Sequence, residues 1–447
     1  MAGISVEPYW ELTFDAEGDA DPGERDALVR GVAERDVTDL VVFAHGWNND
    51  RSMATRLYDR FFAPFPGVLA DAGAPARLGY AGVIWPSMRF TDEPVPDFPA
   101  RDAVPPGDGP RLEPATLRAL AAVFPGSEAL LDRLAELLEQ RSEDPSRLEE
   151  FAALVRRLVL PRQAGTAAGA DASAEDLDPD AGERAEPDMF ADEPARVCGR
   201  FADALATAEP AGAETAAARA EFFGDLRKRL WSGALELLRQ GSYWEMKRRA
   251  GVVGRAGLGP VLELLAGDRA GPRVHLVGHS FGARLMAFAL GALPERTESV
   301  RSLTMLQGAF SHYAFAPRLP FDNGRGGALK GLHERVRGPV VCCHSRHDQA
   351  LSLLYPLASR VSGDSASAFG LDDARWGAMG HDGVQAVEGT GTLQLARALQ
   401  GPLPESGCVN VDVAAVVRRG GPPTGAHSDI CHGELARLVL LAGRIVR

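Results

Sequence analysis

The chain has 447 residues, 45% of them hydrophobic and 24% charged, the composition of a globular protein with material for a sizeable core. Its length suits two or three average domains, or one large α/β domain carrying an insertion. A net charge of −13 argues against nucleic acid as the main partner and gives no support for binding anionic membranes.

Residues 3–14 alternate weakly and read as a first strand. Asp21 to Glu34 carries Leu28, Val29 and Val32 at helical spacing, with Pro22 where a helix start tolerates it. Asp39-Leu40-Val41-Val42-Phe43-Ala44 is a continuous apolar run, which fits a strand buried on both faces of a parallel sheet. It ends in His45-Gly46-Trp47-Asn48. A helix is expected over 52–71 and a short strand over Tyr80 to Trp85.

After Ser87 the pattern changes. Residues 91–114 are crowded with Pro and Asp and read as loop. Amphipathic helices follow, marked by Leu130, Leu134, Leu137 and Leu138 and by Leu148, Phe151, Val155 and Leu158. Residues 164–194 are rich in Ala, Gly, Pro and acid. From Asp171 to Glu193 ten acidic residues face one basic residue, Arg184. Such a segment cannot bury enough surface to offset its ordering entropy, so it is read as disordered. Helical patterning returns over 196–207 and 219–240.

From about 251 the α/β alternation resumes. A helix at 252–266 leads to a strand at 273–277, a helix to about 292, a strand at Val300–Leu306 and another at Pro339–Cys343. A helix at 350–360, a last strand at Val409–Val413 and a closing helix from Gly433 complete the chain. The expected fold class is therefore α/β: one doubly wound, mostly parallel sheet formed by 1–89 and 246–447, with a largely helical insertion at 90–245 acting as a cap or a docking arm. Adjacent Cys342 and Cys343 point to opposite faces of a strand, so buried thiols are expected rather than a disulfide. No cysteine spacing suggests zinc, and nothing calls for a metal or an organic cofactor. No apolar run reaches the roughly 18 residues of a spanning helix, and no signal peptide is visible. The expectation is a cytoplasmic, reduced protein.

The chemistry centres on Gly278-His279-Ser280-Phe281-Gly282. A serine on a tight strand-to-helix turn needs small residues two before and two after it, and the following helix points N–H groups at an oxyanion formed there. Serine needs a base, usually His, and a carboxylate that fixes the His tautomer. Sites in wound sheets gather beyond the C-terminal ends of strands. Asp348, five residues past Cys343, is the best-placed acid; Asp372 and Asp373 follow no strand. For the base, His427 in a Gly/Pro-rich loop after the last strand is favoured, with His432 next and His381 an outsider. His45 and His279 flank the oxyanion region and read as structural. The backbone N–H groups of Trp47 and Phe281 are the expected oxyanion donors, with His45 and Gly46 forming the supporting turn.

In that order, Phe43-Ala44-His45-Gly46-Trp47, Gly278-His279-Ser280-Phe281-Gly282, Asp348 and His427 resemble the α/β-hydrolase superfamily. The end of the third strand, Ile84-Trp85-Pro86-Ser87, looks like a bacterial esterase/lipase-like branch of it. The resemblance covers about 36–90 and 250–447. It implies a mostly parallel sheet, a Ser-His-Asp triad and an acyl-enzyme route, but no particular substrate; the expected substrate is a small-molecule or lipid-like ester. It does not separate hydrolysis from acyl transfer, or from a silent scaffold that binds a partner through the insertion. It also leaves the oligomeric state open. The insertion comes earlier than the usual lid of the family; the loop at 308–335 lies at the usual position.

Overall fold

A computed structural model of the chain describes residues 4–90, 110–160, 188–208, 226–267, 271–295, 297–355, 377–420 and 424–447. Among the described residues eight strands form one sheet: β1 (Tyr9–Thr13), β2 (Asp39–Ala44), β3 (Leu78–Ile84), β4 (Arg273–His279), β5 (Val300–Leu306), β6 (Pro339–His344), β7 (Gly391–Gln394) and β8 (Gly407–Asp412). Their order is β1-β3-β2-β4-β5-β6-β8-β7. Every pairing between them is parallel.

The apolar runs of the sequence become the central strands because both faces of the sheet are covered. All six residues of β2 and all seven of β3 are buried. On one face, Val41, Phe43, Val277, Leu306, Val341 and Cys343 pack against Tyr58, Phe61 and Phe62 and against the C-terminal helix Gly433–Ala442. On the other, Leu40, Val42, Leu276, Leu303, Met305 and Cys342 meet the helix Phe281–Ala289 through Leu285, Met286 and Phe288. The expected helix over 52–71 is two helices, Arg51–Phe62 and Phe65–Asp71. Pro64 and Pro66 cannot extend the first one, since they lack the N–H its ladder needs.

The connection from β3 to β4 carries helices Pro114–Val123, Glu128–Gln140, Pro145–Val159, Pro194–Ala208 and Leu226–Val252. Their apolar stripes, Leu120, Leu134, Phe151, Val155, Val197 and Phe201 among them, join the core of the second sheet face. Trp231 lies edge-on to Phe151 and donates its indole N–H to the carbonyl of Ser142. Helix Leu226–Val252 runs on through a π-helical turn, Val253–Leu258, into Gly259–Ala266. Of the segment read as disordered, 164–194, residues 164–187 lie outside the described residues, as do Asp372 and Asp373 and most of the loop at 91–114; its end instead forms the helix Asp188–Ala191 and the start of Pro194–Ala208. None of the five cysteines is joined in a disulfide, and Cys342 and Cys343 are buried. Among the described residues no helix is long and apolar enough to cross a membrane.

Candidate active site

Ser280 lies between β4 and the helix Phe281–Ala289, with φ 55° and ψ −119°. A non-glycine residue held in this region costs of order 1–3 kcal/mol and persists only where its surroundings fix it. Backbone contacts do so here: Ser280 donates its N–H to Leu306 O at 3.0 Å, and Ala309 N–H donates to Ser280 O at 3.3 Å. The flanking glycines are needed for want of space. A Cβ at Gly278 would fall 2.4 Å from the backbone of Ala283, and one at Gly282 would fall 2.1 Å from Ala44 O.

The loop after β6 supplies Asp348 and the loop after β8 supplies His427. The two loops are tied by a backbone bridge between Asp348 and Gly425, and Ala426 N–H donates to His347 O at 2.9 Å. His427 Nδ1 lies 2.7 Å from Asp348 Oδ2, and His427 Nε2 lies 2.8 Å from Ser280 Oγ. With Nδ1–H donated to the carboxylate, Nε2 is left to accept the serine proton. Asp348 is wholly buried, and its second oxygen accepts Leu351 N–H at 3.1 Å. The structure therefore brings Ser280, His427 and Asp348 into one line.

His279 supports that line from below. Its Nε2–H donates to the main-chain carbonyl of His427 at 2.8 Å, and the two rings lie 5.0 Å apart. Burial pushes its pKa down to about 3, so the ring is neutral. His45 is likewise buried and pushed down to about 4; its Nδ1–H donates to Gly46 O at 2.9 Å. The His45 ring stacks on Trp85, whose indole N–H donates to His45 O. Gly46 presses on the serine: a Cβ there would fall 2.7 Å from Ser280 Cβ. Phe281 opens the helix after Ser280, so its N–H lacks an intrahelical acceptor.

The other candidates sit elsewhere. His432 pairs with Asp429 at 2.9 Å at the start of the last helix. His381 pairs with Asp382 at 2.7 Å, which raises its pKa. A second Asp-His-Ser set lies near the opposite, N-terminal ends of the strands: His275 Nε2 is 2.9 Å from Asp39 Oδ1 and its Nδ1 3.0 Å from Ser302 Oγ. All three of those residues are fully buried and bonded to one another, so they tie β2, β4 and β5 together.

Tyr243, from the long connection, is a site residue that sequence reading did not single out. Its ring lies 4.6 Å from Phe281 and 5.7 Å from Trp47, and its hydroxyl donates to Ala309 O at 3.4 Å. Trp47 in turn meets Phe90 edge-on at 6.1 Å. Aromatic residues thus wall the space beside Ser280. Tyr243 lies past the helix expected over 219–240, which the structure carries on to Val252, so no periodic signal marked it, and helical spacing says which face is apolar, not what lies opposite. Among the described residues no group of His, Cys, Asp or Glu is arranged to hold a metal ion. Comparison with family models, with curated proteins and with solved structures gave no match.

Proposed function

We propose that the protein is a serine hydrolase that cleaves a carboxylic ester through an acyl-enzyme intermediate. The observation that carries this reading is the single histidine, His427, within hydrogen-bond reach of both Ser280 Oγ at 2.8 Å and Asp348 Oδ2 at 2.7 Å. Ser280 Oγ attacks the ester carbonyl as His427 Nε2 takes its proton. Asp348 holds the ring in the right tautomer and stabilises the imidazolium. The carbonyl oxygen becomes an oxyanion facing the N–H groups of Trp47 and Phe281. The close approach of Gly46 to Ser280 Cβ supports that placement of the first donor. Preorganised donors of this kind are worth about 3–4 kcal/mol each. The tetrahedral adduct collapses, the alkoxide leaves with the proton from His427, and the acyl group stays on Ser280. Water, deprotonated by His427, then releases the acid by the same two steps.

In this reading 1–89 and 246–447 form an α/β-hydrolase core, and 90–245 is an insertion that places Tyr243 over the serine. The aromatic wall favours a small or lipid-like apolar acyl or alcohol group. A panel of short- to long-chain p-nitrophenyl esters, run beside Ser280→Ala, tests the assignment. Turnover by the wild type that is lost in the variant supports it. Equal rates in the two proteins, or no turnover of any ester, would sink it.

A further inference from the structure

Gln307 is the first residue beyond β5, and its surroundings do not explain its presence. It is fully buried, and its backbone is held at φ 45°. Neither Oε1 nor Nε2 of its side chain has a hydrogen-bond partner among the described residues. Buried polar side chains almost always find a partner, and one that does not calls for a reason. A left-handed backbone at a non-glycine residue is strained besides. Methionine would fill nearly the same volume with no polar group to desolvate.

Its position supplies the reason. The β4–β5 register ends with His279 opposite Leu306, which puts Gln307 beside Ser280. Leu306 accepts the Ser280 N–H, and Ala309 donates to the Ser280 carbonyl, so the chain around Gln307 grips the serine. On the other side Gln307 N–H donates to Cys343 O at 3.2 Å, and the β5–β6 register brings His344 alongside. His344 Nε2 is also buried without a partner. Gly380 closes over the Gln307 backbone, where a Cβ would fall 2.3 Å away. Unmet donors and acceptors are thus gathered on the β5–β6 rim next to the serine.

We propose that Gln307 is a specificity-determining residue that hydrogen-bonds a hydroxyl or amide group carried by the ester beside its scissile bond. A primary amide offers a donor and an acceptor together, and those two groups return both. A site built to hydrogen-bond a substrate group discriminates strongly against the analogue lacking it. The proposal rests on the serine-esterase reading above.

The test compares kcat/KM within two matched pairs: p-nitrophenyl 3-hydroxybutyrate against p-nitrophenyl butyrate, and 2-hydroxyethyl butyrate against propyl butyrate. The wild type prefers the hydroxylated member of at least one pair by about tenfold or more, and Gln307→Met removes that preference. Melting temperatures are measured alongside. With no internal partner lost, Gln307→Met melts at or above the wild type. Absence of a preference in the wild type, an unchanged preference in Gln307→Met, or a melting temperature lowered by several degrees overturns the proposal. In each of these cases turnover of the plain esters leaves the esterase reading standing. Failure of the wild type to turn over any of the four esters overturns the proposal together with that reading.

Discussion

Replacing Gly46 with alanine probes the close approach of the turn after β2 to Ser280. The added Cβ falls 2.7 Å from Ser280 Cβ, 3.0 Å from His279 Nδ1 and 3.2 Å from His279 O, where ordinary contact begins at 3.4 Å. Loop and serine must therefore separate by about 0.7 Å at the tightest point. A misplacement approaching 1 Å typically costs about 100-fold in rate, because donors set for an oxyanion and a serine set for attack both leave their working positions. Overpacking of a closely packed site costs a further 1–3 kcal/mol or so of stability. Initial rates on a p-nitrophenyl ester, with thermal melting as the folding control, read both effects. We expect kcat to fall about 100-fold in a protein that still folds. Full activity in folded Gly46→Ala would refute the argument that this loop is set against the serine.

Three further outcomes follow from the geometry. Asp348→Asn keeps the shape but favours the wrong His427 tautomer, so kcat drops by about 10⁴; steady-state kinetics read this, and a loss below tenfold would contradict the role given to Asp348. His432→Asn breaks only the pair with Asp429, and kcat on the same ester stays within about twofold, an outcome that fails if His432 is the base. His279 is neutral when folded and gains a proton only when the chain opens. The stability it contributes is fully present above its ordinary pKa of 6.5 and is lost as pH falls toward about 3. At pH 5 that loss is about 2 kcal/mol for this one ring. Urea titrations at pH 7 and pH 5 therefore show a steeper acid loss for the wild type than for His279→Gln, and parallel losses would argue against the buried neutral ring.

The parts of the fold that announce themselves in sequence are those whose physics is local or periodic. β2 and β3 are apolar runs because both their faces are covered, and a run of that kind can be read directly. β7, by contrast, is four residues long and mostly exposed at the sheet edge, so Gly391–Gln394 carries no apolar signal. The meeting of Ser280, Asp348 and His427 was legible because each sits in a loop after a strand of one parallel sheet, and such loops share one edge. Their order along the chain then left few choices. The structure places His432 with Asp429, whereas its place after the acid in chain order had left it beside His427 as a candidate. What stayed hidden depends on pairs distant in sequence. His275 shows nothing of its contact with Asp39, 236 residues away. Tyr243 reaches Trp47 and Phe281 only because its helix lies across the second face of the sheet. Gln307 looks like any polar residue at a strand end until its burial and left-handed backbone are seen.

The central claim is that Ser280 is a nucleophile activated by His427. Mass spectrometry of the intact protein and of its proteolytic peptides after exposure to a fluorophosphonate measures this directly. The wild type is expected to gain one phosphonyl group on the peptide containing Ser280. Ser280→Ala gains none, and His427→Ala reacts slower by orders of magnitude. Modification at any other residue, or equal labelling of wild type and Ser280→Ala, would contradict the account.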